Sequence, residues 1–251
     1  MTIRSKETIE QFRSLARKMF FSKDSVEHFL ENASAAQAEC VIELISFEQG
    51  VREKNKRDRL FRKAGFPQIK SFTDYDFAQL GLPEGYGKED IMSLDYIYAA
   101  EDFVFYGQTG RGKTHLAIAI GIACVNRGPA CRFFTAAELV IALVRAKREQ
   151  KLDLFLKDLF KADLIILDEF GYVPIDIEGA RLLFQVISDC YERRSLIITT
   201  NIEFSKWGTV LGDDKLASAV IDRIVHHGRL IEFSGPSHRM DTALMLGKSD
   251  N

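Results

Sequence analysis

The chain has 251 residues, 46% hydrophobic and 28% charged, enough for one α/β domain and a smaller appendage. Its formal net charge of −2 excludes a polycation, so any contact with nucleic acid must come from local basic patches. No apolar run reaches the ~18–20 residues of a membrane helix, and the charged start MTIRSKETIEQF lacks the apolar stretch of a signal peptide. The four cysteines, Cys40, Cys124, Cys131 and Cys190, are widely spaced with no C-x-x-C pair, and read as core fillers of a cytoplasmic protein.

Residues 1–66 read as a separate helical domain with almost no glycine and no proline. Phe12, Leu15, Ala16 and Met19 recur at helical spacing, as do Val26, Phe29 and Leu30, with Asp24 or Ser25 as a cap. A third helix is predicted from about Ser34 to Lys63, with Cys40, Val41, Leu44, Ile45, Glu48 and Val51 drifting along one face. Its second half, Arg52 to Lys63, holds seven basic and two acidic residues. A solvated helix face and a DNA-phosphate or subunit contact both fit that run; Arg52, Lys54, Lys56, Arg57 and Arg59 are the DNA-contact candidates.

The remainder, 67–251, reads as a nucleotide-binding domain with a connector over 67–101. Pro67 ends the preceding helix. In Ser71–Phe77 aromatics alternate, and Phe72, Tyr75 and Phe77 are read as core aromatics, a contact with a bound base being the alternative. A helix over about Glu89–Ala100 leads into the apolar strand Phe103–Tyr106 and then Gly107-Gln108-Thr109-Gly110-Arg111-Gly112-Lys113-Thr114, the P-loop pattern G-x-x-x-x-G-K-[ST], followed by His115 and a helix. Glycines let successive N–H groups turn toward a phosphate, and the helix adds its positive end. Lys113 can reach the β- and γ-phosphates of ATP, and the Thr114 hydroxyl can ligate Mg²⁺.

Strands and helices then alternate. A strand over 130–135 is followed by a helix to about Arg148 and a short one over 152–160; Arg145, Lys147, Arg148 and Lys151 lie between them as further DNA-contact candidates. The apolar run Leu164–Leu167 ends in Asp168-Glu169, a Walker B element in which Asp168 would hold Mg²⁺ through water and Glu169 would polarise the attacking water. After a helix over about 176–192, the strand Leu196–Thr200 ends at Asn201, placed to orient water against the γ-phosphate, with an Asx-turn as the alternative. Residues 202–227 are helical with loops. Adjacent helical residues point about 100° apart, so His226 and His227 read as structural rather than as ligands of one metal. The last strand is Arg229–Phe233, and the 18 residues after it are too few for a helical lid domain.

The motifs GQTGRGKTHLA, DLIILDEFGYVPI, ARLLFQVISDCYERRSLIITTN, AVIDRIVHHGRLIEF and GPSHR, in this order, resemble the IstB-like ATP-binding proteins, helper ATPases of bacterial insertion sequences related to the DnaC helicase loader. The resemblance implies an α/β P-loop NTPase core of AAA+ type with a parallel sheet of order 5-1-4-3-2, an N-terminal helical domain and no C-terminal lid. It implies ATP and Mg²⁺ as cofactors, ATP-dependent self-assembly on double-stranded DNA, and help to a partner transposase in transposition. It also implies that Arg223 is an arginine finger for a neighbouring subunit's ATP, and that Arg239 stands where a nucleotide-contacting arginine could. A helicase loader, or an ATP-bound DNA scaffold with little turnover, remain the competing readings.

Overall fold

The computed structural model describes residues 5–237. The chain divides into two compact units, Met1–Arg59 and Leu60–Asn251.

The first unit is helical: α1 (Lys6–Lys18), α2 (Lys23–Asn32) and most of α3 (Ala35–Ala64). Its core is small and built at helical spacing from Phe12 and Ala16, Val26 and Leu30, and Ala38, Ile42 and Ile45. Two sequence expectations shift here. The buried face of α3 runs through Ala38, Ile42 and Ile45, while Cys40 and Leu44 are exposed, because the stripe that meets α1 and α2 is offset from the more apolar-looking one. The cap of α2 is Ser22, whose hydroxyl accepts from Ser25 N–H at 3.3 Å, ahead of both residues expected for that role. Ser34 and Gln37 cap α3 reciprocally.

The division falls inside α3 rather than at its end, because the last turn of that helix supplies Leu60, Phe61 and Ala64 to the core of the second unit. There the connector forms β1 (Leu80–Gly81), α4 (Lys88–Ser93) and α5 (Asp95–Tyr98). The single helix expected over 89–100 is broken at Leu94, whose φ of +61° turns the chain. The alternating part follows: β2 (Asp102–Gly107), α6 (Lys113–Arg127), β3 (Cys131–Thr135), α7 (Ala136–Arg148), α8 (Leu152–Leu159), β4 (Leu164–Phe170), α9 (Ile177–Cys190), β5 (Ser195–Thr200), α10 (Trp207–Leu211), α11 (Asp214–His227) and β6 (Gly228–Phe233).

The sheet order is β1-β6-β2-β5-β4-β3. Its five long strands are parallel and in the order the resemblance implies; β1 is an additional two-residue edge strand, antiparallel to β6. Strand side chains alternate between two cores. Phe103, Phe105, Leu164 and Ile166 meet α5, α6 and the connector. Val104, Ile165, Leu167 and Ile198 meet α7, α9, α10 and α11. Burial on both faces explains the unbroken apolar run of β4. Cys124, Cys131 and Cys190 are buried and none is in a disulfide. The expectation about a lid falls on 238–251, and His238 and Arg239 likewise lie outside the described residues.

At the base of the sheet, buried Asp102 accepts the Leu196 N–H at 2.7 Å and ties β2 to β5. Burial pushes its carboxyl up to about 7, against the lowering effect of that hydrogen bond. The folded chain therefore holds a proton that the unfolded chain releases between about pH 4 and pH 7. Stability should fall as pH rises through that window and level off above it. Asp102→Asn keeps the accepting oxygen and removes the titration. It should remove this slope and be more stable than the wild type at pH 8, by up to about 4 kcal/mol, with little difference at pH 4. Urea unfolding at the two pH values measures this.

Candidate functional site

The P-loop joins β2 to α6 at the C-terminal ends of the parallel strands. Gly107 runs so close to β6 that a Cβ there would lie 2.4 Å from the Phe233 carbonyl oxygen. Gly112 has φ +87° and begins α6 with no side-chain cap, so the first N–H groups of that helix are left for a ligand. The Lys113 ammonium is buried and donates to the carbonyl oxygens of Gly107 at 2.6 Å and Gln108 at 2.9 Å, which holds it over the loop.

Thr114 and Asp168 come together across the cleft. The Thr114 hydroxyl donates to Asp168 Oδ1 at 2.9 Å. Both are hard oxygens of the class Mg²⁺ takes, and the pair fits that ion with the hydroxyl as a ligand and the carboxylate acting through a bound water. Asp168 is buried, and the Thr199 hydroxyl donates to the same carboxylate oxygen. Thr199 in turn accepts the Glu169 N–H at 3.0 Å.

Glu169 departs from regular strand geometry. Its φ is +58°, and the pairing of β4 with β5 shifts between Leu167 and Phe170. A non-glycine residue in this region costs on the order of 1–3 kcal/mol. The bulge lets consecutive acids serve different ends: Asp168 turns to Thr114, and Glu169 is exposed in the cleft.

The cleft measures ≈ 540 Å³ and is lined by Thr109, Gly110, Gly112, Lys113 and Thr114 of the P-loop, by Glu169, Tyr172 and Thr199, and by the connector residues Pro67, Gln68, Lys70 and Asp74–Asp76. A larger groove of ≈ 670 Å³ between α7 and residues 173–176 is mainly aliphatic, and neither the phosphate loop nor the acidic pair lines it. Around the nucleotide cleft, Thr109 Oγ1 and the Tyr172 hydroxyl are 3.0 Å apart, and Arg111 donates to the Phe233 carbonyl at 3.1 Å. His115 Nε2 lies 3.1 Å from the Ser71 carbonyl oxygen, and its ring packs on Tyr75 at 5.3 Å. Of the three connector aromatics, Tyr75 lines the cleft, whereas Phe72 and Phe77 join the core beside it. Burial raises the Tyr75 hydroxyl well above its ordinary pKa.

Asn201 and Arg223 are not among the side chains that line this cleft. The Asn201 side-chain oxygen is buried with no hydrogen-bond partner; the side chain from β5 that reaches the cleft is Thr199. Thr199 escaped the sequence reading because a threonine inside Leu196–Thr200 looks like any β-branched strand residue. Arg223 sits on α11, donates to the Ala219 carbonyl at 2.8 Å and lies 4.8 Å over the Phe184 ring.

The candidate DNA-contact residues Arg52, Lys54, Lys56, Arg57 and Arg59 are exposed on α3, with Arg52 paired to Glu48 at 2.6 Å. Arg148 is exposed, while Arg145, Lys147 and Lys151 pair with Glu149, Glu178 and Glu149 at 2.9, 2.8 and 3.1 Å. Exposed pairs of this kind are worth little. No helix among the described residues is long and apolar enough to cross a membrane.

Comparison with known proteins agrees with this geometry. The chain is 39% identical over 215 residues to the putative ATP-binding protein of insertion sequence IS232 from Bacillus thuringiensis subsp. berliner, covering 86% of each chain. It is 33% identical over 219 residues to the corresponding protein of IS21 from Pseudomonas aeruginosa, covering 86% of this chain and 82% of that one. Among solved structures, the DnaC helicase loader superposes with a TM-score of 0.51 at 21% identity, over 70% of this chain and 99% of that one. That likeness speaks for the fold alone. The family profile described as IstB-like ATP binding protein matches residues 17–245, and the chain belongs to that family.

Proposed function

We propose that the protein is a Mg²⁺-dependent ATPase that assembles with copies of itself on duplex DNA when ATP binds, and assists a partner transposase. One observation carries the reading. The cleft gathers a phosphate cradle, a Mg²⁺-compatible oxygen pair and an acid placed to act on water, yet no arginine among the described residues lines it. Phosphoryl transfer needs positive charge on the γ-phosphate in the transition state. Arg223, directed elsewhere in its own chain, is the candidate to supply that charge to a neighbour.

In this reading the P-loop N–H groups and Lys113 hold the phosphates. Thr114 and Asp168 hold Mg²⁺, which would neutralise the developing charge on the phosphate oxygens. Glu169 takes the proton of the attacking water, and Thr199 fixes both acids by accepting from the backbone of one and donating to the carboxylate of the other. Because the site is completed across an interface, ATP favours assembly, and DNA is gripped by the assembled form through its backbone. Relatives encoded by insertion sequences support transposition as the setting. A helicase loader would share the core; co-purification with a transposase or with a hexameric helicase separates the two.

Light scattering with a non-hydrolysable ATP analogue, Mg²⁺ and duplex DNA tests assembly. A particle mass that stays that of one chain would contradict the proposal. Replacing Arg57, Arg59, Arg148 and Lys151 together by glutamine should weaken DNA binding at 100 mM salt by at least ~10-fold and flatten its salt dependence, since each lost phosphate contact lowers the slope by about one. Fluorescence anisotropy across a salt series measures this.

A further inference from the structure

The turn after α9 and the end of α11 bring together three side chains that no nucleotide chemistry uses. Glu192 lies in the turn between α9 and β5. His226 and His227 close α11, and Gly228 then leaves in an extended conformation, with φ −110° and ψ 158°. The angular separation of adjacent helical residues argues from sequence against a shared ion. At this helix end the two rings nevertheless lie edge to face, with centroids 4.4 Å apart. His227 Nε2 is 2.9 Å from Glu192 Oε1, and His226 Nδ1 is 2.8 Å from the Tyr191 hydroxyl. One ligand atom from each of Glu192, His226 and His227 lies within 4.8 Å of the others.

We propose that Glu192, His226 and His227 form a site for a divalent transition-metal ion, zinc in particular. Two imidazoles and a carboxylate form a donor set that zinc accepts, with water as the fourth ligand. Bonds of 2.0–2.2 Å place neighbouring ligand atoms about 3.4 Å apart. The three side chains therefore need to close by roughly an ångström, and Glu192 and His226 are the exposed members free to rotate. The Tyr191 hydroxyl orients the His226 ring, as an outer-shell partner does. The ion takes the place of the hydrogen bond between His227 Nε2 and Glu192 Oε1, and the neutral ring then carries its proton on Nδ1.

The site is separate from the nucleotide cleft, which none of the three residues lines. It would staple the turn leading into β5 to the end of α11, the helix that carries Arg223. Its role is structural: an ion bound only by the folded chain raises the unfolding temperature in proportion to its occupancy.

The test is titration of the untagged full-length chain with ZnCl₂, followed by calorimetry and thermal unfolding, with Co²⁺ absorption as a reporter of ligand geometry. The expected result is one ion per chain, a rise in Tm with added zinc, and intense tetrahedral-type Co²⁺ bands. Glu192→Gln, a surface change that leaves the fold intact, should weaken binding at least ~10-fold. The His226→Ala/His227→Ala double variant should lose both the zinc-dependent rise in Tm and the Co²⁺ bands. Zinc binding by the wild type no tighter than by that double variant would overturn the proposal, as would an unchanged Tm at saturating zinc.

Discussion

Replacing Glu169 by glutamine is expected to lower ATP hydrolysis by about 10²–10⁴-fold, the range for loss of a positioned general base. ATP affinity should stay within a few-fold of the wild type. Glutamine has nearly the same size, and the change leaves the phosphate cradle, the buried Lys113 and the Thr114–Asp168 pair in place. The two effects separate because the bulge in β4 gives neighbouring acids different surroundings: Asp168 is buried against Thr114 and Thr199, and Glu169 is exposed in the cleft. The variant should hold ATP and remain assembled on DNA. Phosphate release under steady state, alongside nucleotide binding by filtration, measures both. Hydrolysis at the wild-type rate would show that another group activates the water.

The second large effect is expected at Arg223. Arg223→Ala should reduce hydrolysis by about 10³–10⁵-fold if the guanidinium serves as an arginine finger. Its effect on folding should be small. Within its own chain the side chain makes one hydrogen bond to Ala219 and a contact over Phe184, and such a cation–π contact is worth about 0.5–1 kcal/mol at a partly exposed position. A collapse in turnover with a nearly unchanged Tm is the signature of a group acting outside its own fold. Equal losses of activity and stability would assign Arg223 a structural role instead.

Much of the core was legible in the sequence. The P-loop could be placed because its chemistry demands a fixed spacing between a strand and a helix, and the run Leu164–Leu167 announced a strand buried on both faces. What stayed hidden depends on backbone detail or on contacts distant in sequence. The bulge at Glu169 is a single residue with positive φ, and glutamate does not advertise that conformation as glycine would. Thr199 is recognisable only once β5 lies beside β4. The edge strand β1 has two residues, too few for a pattern, and owes its existence to β6. Leu94, an ordinary helix former, breaks the helix with a left-handed turn that its side chain does not signal. The rings of His226 and His227 meet through their side-chain conformations, and Glu192 reaches His227 across a gap of 35 residues.

The claim that a neighbouring subunit completes each ATP site is tested most directly by mixing two inactive proteins. On this proposal, Glu169→Gln chains lack the base but carry the finger, and Arg223→Ala chains carry the base but lack the finger. In an equal mixture under assembling conditions, half the sites belong to Arg223→Ala chains and half of those face a Glu169→Gln neighbour. Hydrolysis should therefore recover to about one quarter of the wild-type rate, while each protein alone stays inactive. A mixture that co-assembles on DNA yet remains as inactive as its components would contradict the account.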